Sequence, residues 1–296
     1  MDKSNHSNGQ IGRIAAPTHE AFTKNYMMHN TPVILTGIAT KWRAFSEWTP
    51  DYLKSIAGDS VITAHFNENA NFHEWYVRPD ERIDRKMKLA ELLDALVGDP
   101  PDPRFYMTEH ELRLVSPELL NDIDLSDYLD YGNPDVKPFE PLLFLGRDTC
   151  MPMHFHGHTE AFLCQLYGAK KITLYSPDQY SLLYARPWYR PSPLFSEVDG
   201  RQIHAGHPDY ERFPKLKRAR PLEFILQPGE ILFIPVHWWH LTSVQGFQVS
   251  VTHFWRAKRR CWHFPTPGIQ VLAREALLKS RKRINKLRTR LKHSAS

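Results

Sequence analysis

No run of about 20 apolar residues occurs in this 296-residue chain, so no membrane-spanning helix is expected. Cysteine is scarce: Cys150, Cys164 and Cys261 have no pairing pattern, which excludes a disulfide scaffold and fits a reducing compartment such as the cytoplasm. The first ten residues lack the apolar core of a signal peptide. Glycine (14) is outnumbered by proline (23), as expected of many turns and short strands. Acidic residues are missing from one place: residues 279–296 hold eight Lys or Arg and no Asp or Glu. The net charge of +5 is therefore local, because the rest of the chain carries 30 basic residues against 33 acidic ones. That balance argues against a nucleic-acid groove across the whole body.

What is present centres on Met153-His154-Phe155-His156-Gly157-His158-Thr159-Glu160. Apolar runs flank it, Pro141–Leu145 before and Ala161–Tyr167 after, and each reads as a buried strand. Residues two apart on an extended backbone point to one side, so His154 and His156 can face a common point. Neutral imidazole suits Fe, Zn, Cu or Ni. Two ligands hold a metal weakly, and His240, in Ile234–His240, is the best distant third. His65, His73 and His110 read as ordinary structural histidines.

Taken in order, residues 1–12 are expected to be disordered and residues 17–25 to form a short helix. Thr31–Ile38 reads as a strand ending in a turn, and Trp42, Phe45 and Trp48 as a packed cluster. Thr49 is placed to cap a helix that has Pro50 at its first position and ends at Gly58. Val61–Phe66 alternates like a strand, and Leu89, Leu92, Leu93 and Leu96 recur at helical spacing. Arg104–Met107 reads as a strand and Ser116–Leu120 as a helical turn. Six strands follow: Leu142–Leu145, Ala161–Tyr167, Lys171–Tyr175, Leu222–Leu226, Glu230–Ile234 and Gln248–Trp255. Turns at Gly168-Ala169 and Pro228-Gly229 join them in the manner of a sandwich or jelly roll. The aromatic insert from Asp178 to Arg220 is expected to be a lid or binding loop.

Four segments carry a resemblance: Gly168–Pro177, Gln227–Pro235, Trp238–His240 and Ser250–Trp255. In this order they resemble the JmjC/cupin-like Fe(II)/2-oxoglutarate oxygenases, over roughly residues 28–256. The resemblance implies a mainly β fold, a double-stranded β-helix (jelly roll, cupin-like) with an N-terminal α/β elaboration. It implies Fe(II) as metal and 2-oxoglutarate as co-substrate for hydroxylation of a protein, peptide or small molecule. His154 matches the family's first metal histidine, and His240 the distal one. Lys170 matches the lysine that pairs with the far carboxylate of 2-oxoglutarate, with Thr149 or Tyr106 as a hydroxyl donor. His253 stands where the family often has Asn.

The family's His-x-Asp/Glu is here His154-Phe155-His156, which leaves three ligand sets open. One is His154, His156 and His240. A second draws the missing carboxylate from Glu160. A third shifts the site to His156 and His158, or to His158 and Glu160. Three histidines would hold iron with one negative charge fewer and raise its Lewis acidity. The alternative function is a three-histidine cupin that binds metal without 2-oxoglutarate, as a dioxygenase or a non-catalytic module. The expected domains are the disordered N-terminus at 1–12, the barrel at 13–264 and a basic helical tail at 265–296. Along that tail Ala273, Leu277, Ser280, Ile284, Leu287 and Leu291 form an apolar seam. The helix reads either as docked through this seam on its own barrel, or as a homodimer helix, or as a basic patch for an anionic partner, and folding of the barrel is expected not to need the tail.

Overall fold

The computed structural model describes residues 10–129 and 138–293. Its strands, in chain order, are β1 (Arg13–Ala15), β2 (Val33–Thr36), β3 (Val61–Phe66), β4 (Ile83–Lys88), β5 (Phe105–Glu111), β6 (Leu142–Arg147), β7 (Cys150–His154), β8 (Thr159–Tyr167), β9 (Lys170–Tyr175), β10 (Leu222–Leu226), β11 (Ile231–Ile234), β12 (Trp239–Val244) and β13 (Phe247–Arg256). Nine of them form a large sheet in the order β1-β2-β11-β8-β13-β6-β5-β3-β4. The other four form a small sheet, β10-β9-β12-β7. The expected jelly roll is present. Ile34, Ala161, Leu163 and Leu232 of the large sheet pack against Ile172, Leu174 and Leu226 of the small one, closing a core between them.

The middle of the large sheet is buried on both faces. Phe162, Cys164, Leu143, Leu145, Val249 and Val251 point the other way, into a second core beneath the N-terminal helices. That is why β8 and β13 read as nearly continuous apolar runs rather than alternating ones. Strands β3, β4 and β5 extend the same sheet. The helices Pro50–Ala57 and Leu89–Val97 cover it, burying Leu53, Leu89, Leu92, Leu93 and Leu96. Thr49 caps the first, its hydroxyl accepting from the Tyr52 amide at 3.2 Å.

Several expectations are corrected. Order begins before residue 13: Ile11 is buried, and Gly12 accepts a hydrogen bond from the Ile34 amide at 2.9 Å. The reason is that the segment feeds β1, which pairs in parallel with β2. Residues 1–9 of the expected disordered segment lie outside the described residues. Trp42 and Trp48 are buried, but Phe45 is 37% exposed and does not complete their cluster. Strand β4 is almost wholly exposed and polar, so it gives no apolar signal. The 265–296 segment is not separate from the barrel. The helix Gly268–His293 starts against it, burying Val271 beside Phe155, Tyr180 and Trp262. The Tyr180 hydroxyl donates to Gln270 Oε1, and Arg274 donates to the Trp188 carbonyl at 3.2 Å. Of the expected seam, Ile284 is exposed, and the side chains of Leu287 and Leu291 lie outside the described ones. No helix among the described residues is long and apolar enough to cross a membrane.

Candidate metal centre

Strand pairing builds the centre. In the antiparallel ladder of β12 with β7, His240 stands directly opposite His154. In the ladder of β12 with β9, His240 stands opposite Leu174, a residue of the inter-sheet core, so its ring faces the barrel interior. His156 follows β7 by two residues, and its carbonyl accepts from the His237 amide at 3.1 Å, tying the two histidine segments together. One ligand nitrogen from each of His154, His156 and His240 lies within 4.8 Å of the others. Ring centroids are 4.1 Å apart for His154–His240, 4.6 Å for His156–His240 and 5.5 Å for His154–His156.

Hydrogen bonds fix the tautomers. His154 Nδ1–H donates to the Pro152 carbonyl at 2.8 Å, and His240 Nδ1–H to the Trp238 carbonyl at 3.1 Å. Each Nε2 therefore keeps its lone pair free for a ligand bond. His156 Nδ1 is buried and has no hydrogen-bond partner. Desolvation pushes His154 down to about 4, and desolvation together with His154 pushes His156 down to about 3. His240 is held well below the usual imidazole range, by burial first and then by its two neighbours. Three neutral imidazoles with converging lone pairs fit a divalent transition metal such as Fe(II).

The alternates for a ligand are turned away from this point. Glu160 lies on β8 with the parity of Phe162, on the outer face of the large sheet. There its Oε2 accepts from Trp255 Nε1 at 2.9 Å, and burial pushes its carboxyl up to about 7. His158 lies 3.5 Å from Glu275 and packs on the Trp262 ring, which makes it an anchor for the C-terminal helix. Among the described residues, His154, His156 and His240 are the one group of three or more His, Cys, Asp or Glu with converging ligand atoms. His65 bonds Asp84 and Thr108 and plays no part in the centre.

A second cluster lies deeper in the barrel. Gly168, at φ +70°, turns β8 into β9; a Cβ there would meet the Phe247 carbonyl at 2.4 Å. The turn starts β9 at Lys170, which shares the inward parity of Ile172 and Leu174. Lys170 is only 4% exposed, and its Nζ donates across the barrel to Ser250 Oγ at 2.7 Å. Ser250 Oγ in turn donates to Gln248 Oε1 at 3.2 Å. No carboxylate of the described residues forms an ion pair with Lys170, and burial pushes its ammonium down to about 7. A buried, uncompensated cation favours an anionic ligand, so a dicarboxylate fits here. Tyr106 and Thr149 are buried near the same end, both beside Gly146. Gly146 leaves room for the Tyr106 ring, which a Cβ would meet at 2.6 Å. Reasoning from sequence missed Ser250 and Gln248. The available signal was the run of polar side chains at alternate positions, Gln248, Ser250 and Thr252, between apolar neighbours. His253 does not join this group: Ser250 and Phe254 face inward, and His253 lies on the opposite face of β13.

In front of the histidines is an open cleft of about 1010 Å³ lined by His154, His156, Phe195, Phe254, Glu109 and Glu111 among others. The insert reaches it. Phe155 N donates to the Leu194 carbonyl and Ser196 N to the Met153 carbonyl, so residues 194–196 run beside β7. Phe195 stacks on His154 at 5.0 Å and 17°, and Tyr76 stacks on Phe195 at 4.2 Å and 21°.

A jelly roll carrying three neutral histidines at its mouth defines a cupin-type metal protein. The chain belongs to the cupin-like domain family, whose model matches residues 19–261. It is similar to lysine-specific demethylase 8 of Xenopus tropicalis, 28% identical over 248 residues, covering 83% of this chain and 52% of that protein. The same protein of Danio rerio is 30% identical over 253 residues, covering 83% and 58%. The tRNA wybutosine-synthesizing protein 5 of Gallus gallus is 24% identical over 264 residues, covering 83% and 77%. The chain thus spans little more than half the length of the two demethylase relatives.

Proposed function

We propose that the protein is an Fe(II)/2-oxoglutarate-dependent oxygenase that hydroxylates a protein, peptide or small-molecule substrate. The observation that carries this reading is the pairing of a three-imidazole centre with a buried lysine that has no counter-ion among the described residues of the same barrel. The relatives named as a demethylase and as a tRNA-modifying protein support the class. When bound, iron and 2-oxoglutarate supply the oxidation of a substrate C–H bond by O2, coupled to decarboxylation of the co-substrate to succinate.

In this reading His154, His156 and His240 would hold the metal, each kept neutral by desolvation. Lys170 would bind the far carboxylate of 2-oxoglutarate, and the Thr149 and Tyr106 hydroxyls would donate to it. The Ser250–Gln248 chain keeps Lys170 Nζ pointed across the barrel. Phe195 holds the His154 ring flat and covers it on one side, limiting water. The exposed Lys279, Arg281, Lys282 and Arg283 support an anionic partner at the far end of the last helix, and exposed Ile284 leaves room for a second copy. Three free cysteines suit the cytoplasm. The missing carboxylate ligand favours one alternative, a three-histidine cupin without 2-oxoglutarate. Calorimetry with redox-inert Mn(II) separates the two. The oxygenase reading expects 2-oxoglutarate to bind the metal-loaded protein with one-to-one stoichiometry, and the alternative expects no binding.

A further inference from the structure

Two of the three metal histidines have their rings fixed by a hydrogen bond, and the third does not. The Pro152 carbonyl holds His154 Nδ1–H and the Trp238 carbonyl holds His240 Nδ1–H, whereas His156 Nδ1 is buried without a partner among the described residues. His156 also lies two residues past the end of β7, so no strand ladder fixes its backbone. The direction of its ring must come from the loop that carries it.

That loop is gripped by one residue. The His237 amide donates to the His156 carbonyl at 3.1 Å, and His237 Nε2–H donates to the Gly157 carbonyl at 3.2 Å. His237 Nδ1 accepts from the His263 amide at 3.1 Å. This bond fixes the tautomer and ties the same ring to the segment that leads into the last helix. The ring is 0% exposed, with the Trp262 ring 5.2 Å and the Phe155 ring 6.0 Å away. Gly157 is itself closely packed, since a Cβ built there would meet Leu194 and Val271 at 3.4 Å.

Local conformation does not call for histidine at this position. Trp238 N donates to the Pro235 carbonyl at 3.3 Å, closing a turn in which His237 is the third residue, at φ +70°. Glycine or asparagine suits that conformation better than histidine does. The turn needs no imidazole; both ring nitrogens serve the loop of His156 and the segment of His263 instead.

We infer that His237 is a positioning residue of the metal centre, aiming the His156 imidazole by clamping the His156 and Gly157 carbonyls. The partner behind a metal histidine ordinarily bonds its ring. Here the bonds are made to the backbone on which the ring stands. The inference rests on the three-histidine assignment and holds with or without 2-oxoglutarate.

The test uses the full chain with Co(II) as the probe. Equilibrium dialysis gives its affinity, and the visible absorption of the bound ion reports its coordination geometry. His237→Asn suits the positive φ and leaves an oxygen near the Nδ1 position for the His263 amide, but it has no atom to reach the Gly157 carbonyl. His237→Gln carries an amide N–H out to the Nε2 position and keeps that bond. The expected result is a changed spectrum and a Co(II) affinity about 10- to 100-fold weaker in His237→Asn, the usual cost of losing a partner behind a metal ligand. His237→Gln should restore the parent's spectrum and most of its affinity. If His237→Asn does not fold, His237→Phe replaces it, keeping the ring volume and losing both ring bonds, with the same loss expected. A folded asparagine or phenylalanine variant with the parent's affinity and spectrum overturns the inference. Equal weakening in the asparagine and glutamine variants also overturns it, because the bond to Gly157 would then not be what aims the ring. Failure of the parent to bind Co(II) would overturn the three-histidine centre itself, and the inference with it.

Discussion

His154 and His240 face each other as direct cross-strand partners of β7 and β12, with ring centroids 4.1 Å apart. The metal centre is thus a property of sheet register. A one-residue slip would turn one ring out of the barrel. His154→Ala and His240→Ala should each abolish stoichiometric Fe(II) or Co(II) binding, because two remaining imidazoles hold a metal weakly. Glu160→Gln should retain full metal occupancy. Equilibrium dialysis with metal analysis checks all three.

Lys170→Ala should weaken 2-oxoglutarate binding by one to two decades without releasing metal, since a charge-assisted contact is worth about 1.5–3 kcal/mol. Binding by the parent should also depend on pH. Burial has pushed the Lys170 ammonium down to about 7, and the dicarboxylate favours its charged form. Affinity should therefore fall as pH rises above 7, by up to about tenfold per pH unit. The alanine variant should lose that slope in calorimetric titrations between neutral pH and moderately alkaline pH.

Glu160 makes an opposite test, of stability. Its carboxyl is raised by burial to about 7, with one oxygen bonded to Trp255 and the other unpartnered. A raised folded-state value means that its stabilising, protonated form is fully present below the unfolded value of about 4.5 and is lost as pH rises through 7. Glu160→Gln should therefore be more stable than the parent at pH 8, by up to about 3 kcal/mol. The gain should vanish towards pH 5. Urea melts at the two pH values measure it.

Truncation after Pro267 should destabilise the barrel, because it removes Val271 from its place against Phe155, the residue between two metal histidines. Val271→Ala alone should cost about 1–3 kcal/mol. Truncation after Leu278 removes residues 279–285, all exposed, along with the segment beyond them, and should leave the thermal midpoint close to that of the parent. Thermal melts of the three proteins give the comparison.

The jelly roll is legible in the sequence because the middle of the large sheet is buried on both faces, which turns β8 and β13 into conspicuous apolar runs. Thr49 and Pro50 likewise mark their helix locally. Strand β12 is not legible as a strand, since Trp239–Val244 mixes aromatic, histidine and hydroxyl residues whose order only the register explains. The histidine triad follows from the His-x-His pattern together with the resemblance. Placement of Glu160 and His253 does not follow, because parity on a strand shows which residues share a face but not which face meets the metal. Docking of the last helix on the barrel is one of the readings its periodicity allows, but the docked face is not: Val271 is off the seam that periodicity selects, and the buried side is set by Phe155 and Tyr180, far away in sequence.

The most direct measurement is succinate formation by the parent and by His240→Ala, each supplied with Fe(II), 2-oxoglutarate and O2. The account predicts succinate formed with O2 consumption by the parent and none above background by the variant. Stoichiometric iron binding by the parent without succinate would contradict it and leave a metal-binding cupin in its place.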